Sequence, residues 1–97
     1  MKYLDWDKHK NEKLKVQREV GFEDCLVAID AGRLLATIEH TNKKKYPQQR
    51  IFIVAIGDYV YLVPFIEDEE KIFLKTIIPS RKFTKKYILE IGDHKNN

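Results

Sequence analysis

The stretch from Ile51 to Ile66 constrains this chain more than any other. Ile51–Ile56 is a continuous apolar run rich in β-branched residues, Gly57-Asp58 supplies a turn, and Tyr59–Ile66 is a second apolar run. Two such runs around a Gly-Asp pair read as a β-hairpin. Pro64 cannot donate to a ladder, so it calls for an edge position or a bulge near the end of its strand. Glu67–Glu70 then reads as an acidic turn. Ile72–Ile78 follows as a further strand, with Lys75 on one face, Leu74 and Thr76 on the other, and Pro79 as its stop. Leu34–Ile38 is a short candidate strand upstream, so the three later strands form a meander.

The flanks carry a helical period. Asp5 or Asp7 can cap a first helix that runs to about Arg18 or Glu19, anchored only by Trp6, Leu14 and Val16. Gly21 breaks the chain. Phe22, Cys25, Leu26 and Ile29 recur at i, i+3, i+4 and i+7 and define a second helix, which Gly32 ends. Ser80 can cap a last helix that keeps Phe83, Tyr87 and Ile91 on one face and Arg81, Lys82, Lys85 and Lys86 outside. The expected fold is α+β: two N-terminal helices, a mainly antiparallel four-stranded sheet and a C-terminal helix. The whole chain, 1–97, reads as a single domain, with 92–97 a polar tail that frays.

Composition narrows the function classes. The 97 residues are 43% hydrophobic and carry 18 Lys+Arg against 15 Asp+Glu, a formal charge of +3. That excludes a multidomain enzyme and a low-hydrophobicity disordered chain. Distribution is more telling than the total. Positions 51–70 hold no base, whereas bases gather at Lys43–Arg50 and Lys75–Lys86. Cys25 is the single cysteine, so no internal disulfide can form and a reducing, cytoplasmic compartment is expected. Cys25 itself reads as a small core hydrophobe. The opening residues lack the apolar core of a secretory signal, and no apolar run approaches a membrane span. One cysteine and scattered histidines offer no metal-ligand spacing, and no glycine-rich phosphate loop occurs, so no cofactor is expected.

Two basic clusters are candidate sites for a polyanion. Lys75, Arg81, Lys82, Lys85 and Lys86 surround the start of the last helix, where backbone amides and charged side chains can both meet phosphate. Arg81 and Lys82 in a first turn oppose the helix dipole, so they contribute nothing evident to stability there. Lys43, Lys44 and Lys45 with Tyr46 and Arg50 form the second cluster, in which the tyrosine could stack on a base. Either cluster also admits a plainer reading, as a solvated face. His40, beside Glu39, is the candidate for proton transfer; His9 reads as part of a polar helix and His94 as part of the tail.

Three stretches, in order along the chain, resemble a known family. Tyr3-Leu-Asp-Trp-Asp-Lys-His-Lys-Asn11 is similar to the aromatic-x-Trp-Asp-x-x-Lys-x-x-Asn opening of BrnT-like toxins of bacterial type II toxin–antitoxin systems. Lys13 to Phe22, followed by Glu23 and Asp24, resembles their basic segment leading into Gly-x-x-Phe-Glu-Glu or a close variant, here Gly21-Phe-Glu-Asp24. Ile77 to Tyr87 resembles their Ile-Ile-Ser-Ala-Arg-Lys-Ala stretch and late tyrosine. The resemblance implies a RelE-like ribonuclease fold and a metal-independent endoribonuclease that arrests growth. It also implies a cognate antitoxin bound in a hetero-oligomer, with operator DNA engaged only indirectly, through that antitoxin. Carried over by position, it marks Lys75, Arg81, Lys82 and Arg50 as the phosphate-binding set. Pro64 to Glu70 is acidic where the family carries Tyr-Thr-Glu-Arg, which shifts the expected anion-binding surface toward Lys43–Lys45. The competing reading is a non-catalytic module that binds nucleic acid or protein through the same basic surface.

Overall fold

The central hairpin closes where the sequence puts it. Ile56 pairs with Tyr59 across Gly57-Asp58, and the ladder runs out to Arg50 opposite Phe65. Gly57 holds φ at +63°, a region that a side chain makes costly. Around this hairpin the computed structural model, which describes residues 2–89, builds an α+β fold. In chain order the elements are β1 (Tyr3–Trp6), α1 (Lys8–Arg18), α2 (Phe22–Asp30), β2 (Leu34–Glu39), β3 (Arg50–Ile56), β4 (Tyr59–Glu67), β5 (Lys71–Leu74), β6 (Ile78–Pro79) and α3 (Arg81–Thr84). A π-helical turn, Lys85–Leu89, continues α3.

The sheet departs from the four antiparallel strands expected. It has six strands in the order β1-β5-β4-β3-β2, with β6 pairing β4, and it is mixed. Tyr3–Trp6 forms an additional edge strand that pairs parallel with Lys71–Leu74 at the other end of the chain. Four residues carry too little periodicity to announce a strand, and a parallel partner is never a sequence neighbour. Consequently Asp5 lies in a strand and Asp7 is the helix cap, its carboxylate accepting the Lys10 N–H at 3.0 Å.

The strand read as Ile72–Ile78 is interrupted. From Phe65 to Leu62 the register advances three residues on β4 and four on its partner, from Leu74 to Ile78. That single extra residue, within the stretch Lys75–Ile77 that no ladder pairs, makes a bulge between β5 and β6. Lys75 N–H donates to the Pro64 carbonyl at 2.8 Å. The proline, in a central strand, thus turns its missing donor toward the bulge, where no ladder partner is needed. Pro79 is the last residue of β6, so the strand does end there, with Pro79 itself paired to Tyr61.

Two apolar layers sandwich the sheet. On one side Leu14, Phe22, Cys25 and Ala28 of the helical pair meet Phe52, Val54, Val63, Phe65, Leu74 and Ile77. On the other, Phe83, Tyr87 and Ile88 pack on Ile53, Ala55 and Val60. Each fully buried large side chain here is worth about 1.5–3 kcal/mol. The expected partner Ile91, His94 and the 92–97 tail lie outside the described residues. Cys25 is wholly buried, and burial pushes its thiol up to about 12, as befits a core side chain.

Candidate nucleic-acid interface

The joint between α1, α2 and the sheet fixes the first group of polar residues. Asn11 is buried, and its Oδ1 accepts the Phe22 N–H at 2.8 Å while its Nδ2 donates to Glu23 at 2.9 Å. One side chain therefore satisfies the otherwise orphaned start of α2. Gly21 has no room for a Cβ, which would sit 2.9 Å from that same Asn11 oxygen. Trp6 stacks on Phe22 with ring centroids 5.7 Å apart. The residues of the opening motif, Trp6, Asp7 and Asn11, thus have structural work at this joint.

The loop cluster is largely engaged with itself. Lys43 pairs with Glu39, and the His40 Nδ1 accepts the Asn42 N–H at 3.0 Å. The His40 ring lies 4.5 Å from that of Tyr46, and Lys45 stands over the same tyrosine. Arg50 donates to Glu67 at 2.5 Å, and Lys2 reaches the same carboxylate at 2.7 Å. Hydrogen bonding from Lys2, and then from Arg50, holds the Glu67 carboxyl below its ordinary value. Asp68 accepts the Glu70 and Lys71 N–H groups and closes the acidic turn. Of this cluster, Lys44 and Lys45 have no described carboxylate partner.

The second cluster differs. Lys75, Arg81, Lys82, Lys85 and Lys86 are exposed, and none pairs with a described carboxylate. Ser80 caps α3 by accepting the Phe83 N–H at 3.1 Å. Buried Thr84 accepts the Val60 N–H at 2.8 Å and donates to the Ser80 carbonyl at 2.7 Å. With four α-helical residues before the π turn, the helix-terminus contribution expected for anion binding is small. The exposed cations carry the positive field instead. Lys75 is level with Pro64 and Arg81 follows Ser80, whose N–H bonds Val60. Four strand residues, roughly 13 Å, separate those levels. The cations form a strip along β4, not a pocket.

His40 and Glu39 lie at the opposite edge of the sheet from Lys75. Strands β3 and β4 intervene between β2 and β5, three spacings or about 14 Å. The imidazole that shares a groove with Lys75 is His9 of α1. Because β1 pairs parallel with β5, the chain enters α1 next to the bulge, and a groove of about 560 Å³ there is lined by Asp7, His9, Lys10, Lys13, Phe73 and Lys75. The one advance signal was the Asp7 cap, which fixes His9, Lys10 and Lys13 in the first turns of α1.

Among the described residues, no group of three or more His, Cys, Asp or Glu side chains could hold a metal ion, and no helix is long and apolar enough to cross a membrane. Compared with protein-family models, curated proteins and solved structures, the chain matches none.

Proposed function

We propose that this protein is the toxin component of a type II toxin–antitoxin system, a cytoplasmic, metal-independent endoribonuclease neutralised by a co-encoded antitoxin. The motif resemblance along the chain supports the reading. The observation that carries it is the exposed strip of Lys75, Arg81, Lys82, Lys85 and Lys86, cations with no described carboxylate partner.

In the proposed reaction the RNA 2′-oxygen attacks the adjacent phosphorus and the bond to the 5′-oxygen breaks, leaving a cyclic phosphate and a 5′-hydroxyl. Negative charge accumulates on the phosphorane, and Lys75, Arg81 and Lys82 are suited to meet it. Arg50 is a further clamp, available to the extent that phosphate displaces Glu67 from it. His40 and Glu39, expected to move the proton, lie about 14 Å from Lys75, out of reach of a phosphate held there. Tyr46 and Lys43–Lys45 would hold RNA beyond the cleaved bond. The antitoxin would cover the same cationic surface.

The test is inducible expression of the wild type beside Arg81→Ala and Lys82→Ala, with growth and transcript integrity followed. Growth arrest with cleaved transcripts is expected, relieved by co-expression of a small protein encoded beside the gene if that protein is the antitoxin. A harmless wild type that leaves RNA intact removes the nuclease reading. A second reading, a non-catalytic nucleic-acid or protein binding module, draws on the engagement of His40 with Asn42 and of Glu39 with Lys43. It predicts oligonucleotide or partner binding with no cleavage.

A further inference from the structure

The groove between α1 and the β5 bulge has a composition that neither basic cluster anticipates. Lys10 and Lys13 reach it from the helix and Lys75 from the sheet, and none of the three pairs with a described carboxylate. Asp7 also lines it, but its carboxylate caps α1 through the Lys10 N–H, the main cause that holds it below its ordinary value. The nearby Asp5 pairs with Lys71 at 3.4 Å. Three ammonium groups therefore face one carboxylate that is already hydrogen-bonded.

The floor is aromatic. Phe73 is half-buried, with Lys71 and Lys75 at 5.7 and 5.4 Å from its ring centroid. Register aligns Tyr3 with Lys71 and Asp5 with Phe73, so Tyr3 is the diagonal neighbour of Phe73 on the same face. Tyr3 is 55% exposed, which leaves a second ring open beside the first. A flat ring flanked by ammonium groups suits a nucleobase with its phosphates, because every base has a π-face and every linkage a charge. An acidic peptide would use the cations and leave the rings unused.

We infer that this groove is a single-stranded RNA subsite, with a base on Phe73, a neighbouring base on Tyr3, and phosphates held by Lys10, Lys13 and Lys75. The His9 imidazole supplies a hydrogen-bonding edge to the same strand. The inference deepens the nuclease reading and rests on it for the class of ligand. The subsite sets the RNA across β1 and β5, on the opposite edge of the sheet from the Lys43–Tyr46 loop.

The experiment measures binding of a short 2′-O-methyl oligoadenylate, which lacks the attacking hydroxyl, by fluorescence anisotropy over a range of salt. Lys10→Ala, Lys13→Ala and Lys75→Ala should each weaken binding and lower the slope of log affinity against log salt by about 0.7. Phe73→Leu keeps an apolar side chain and should weaken binding about tenfold. Tyr3→Leu, at an exposed position, tests the platform if Phe73→Leu melts early. Arg18→Ala, at the far end of α1, should bind as wild type does. Lysine variants that bind with unchanged affinity and slope overturn the subsite. So does polyglutamate competing as well as the oligonucleotide, which would assign the groove to an acidic protein. Transcript cleavage that persists while groove variants bind normally removes the subsite and leaves the nuclease reading. Binding that depends on the groove in a wild type unable to cleave removes the nuclease reading and keeps the subsite.

Discussion

The two basic clusters look alike in sequence and are unlike in the fold. At Lys43–Arg50 two of the charges have carboxylate partners, Glu39 for Lys43 and Glu67 for Arg50. At Lys75–Lys86 the backbone is anchored and the cations, three of them lying over Phe73, Phe83 and Tyr87, have no described carboxylate partner. Thr84 accepts the Val60 N–H and ties α3 to β4, Ser80 caps α3 through the Phe83 N–H, and the cations around them are exposed. A charge run is therefore a poor guide to a binding surface until its partners are known. Neutralisation depends on a carboxylate that strand register can deliver from elsewhere in the chain.

The sharpest way to break this contrast is to remove each cluster's charges in turn. Substituting Lys75, Arg81 and Lys82 together by Ala should lower transcript cleavage by roughly a hundredfold or more, in the range of lost transition-state charge stabilisation. Arg50→Ala should cost less than about tenfold, because that guanidinium is already paired. Equal losses in a quantitative cleavage assay would erase the distinction.

A second prediction concerns the anchor. Thr84→Val keeps the shape and removes the acceptor of the buried Val60 N–H, so urea unfolding should show a loss of about 1–3 kcal/mol. No change would mean that α3 is held by its apolar face alone. A third converts one cluster toward the other. Glu67→Gln releases Arg50 and Lys2, and oligonucleotide affinity should rise about two- to threefold at low salt, with a steeper salt slope. Unchanged binding would show that Arg50 does not face the ligand.

The smallest effect is in acid. Glu67 is held below its ordinary 4.5 by Lys2 and Arg50, and Asp68 below 3.8 by the Lys71 and Glu70 N–H groups. A depressed carboxyl stabilises the fold above its unfolded-state value, and that stabilisation is lost as pH falls through the folded one. Thermal unfolding followed below about pH 4.5 should therefore show a decline that Glu67→Gln and Asp68→Asn flatten. Glu67 pairs with Arg50 of the loop cluster, Asp68 lies in the acidic turn beside it, and neither pairs with the strip, so Lys75→Ala should leave the decline unaltered.

Much of the architecture was legible. The hairpin was, because β-branched runs around Gly57-Asp58 admit few alternatives. The face of α2 was legible in part: Phe22, Cys25 and Ile29 face the core, whereas Leu26, expected beside them, is exposed and Ala28 is buried instead, and Val16, expected to anchor α1, is exposed too. Pro64 announced a bulge, although the bulge proved to be in the partner strand. Strand β1 was not legible: Tyr3–Trp6 is too short to show a period, and its partner is Lys71–Leu74. The candidate site followed the same division. Its cations were visible as residue types, whereas the meeting of His9, Lys10 and Lys13 with Lys75 was not.

By itself the sequence determined the α+β class, the central hairpin, the helical pair and the segments rich in charge, since each is written in local periodicity and turn chemistry. The tertiary structure decided which charges are neutralised and which elements share a groove. Glu67 reaches Arg50 because Arg50 and Phe65 are ladder partners, and α1 lines a groove with Lys75 because β1 runs parallel beside β5. Both are long-range pairings, and a local pattern carries no information about a partner at the other end of the chain.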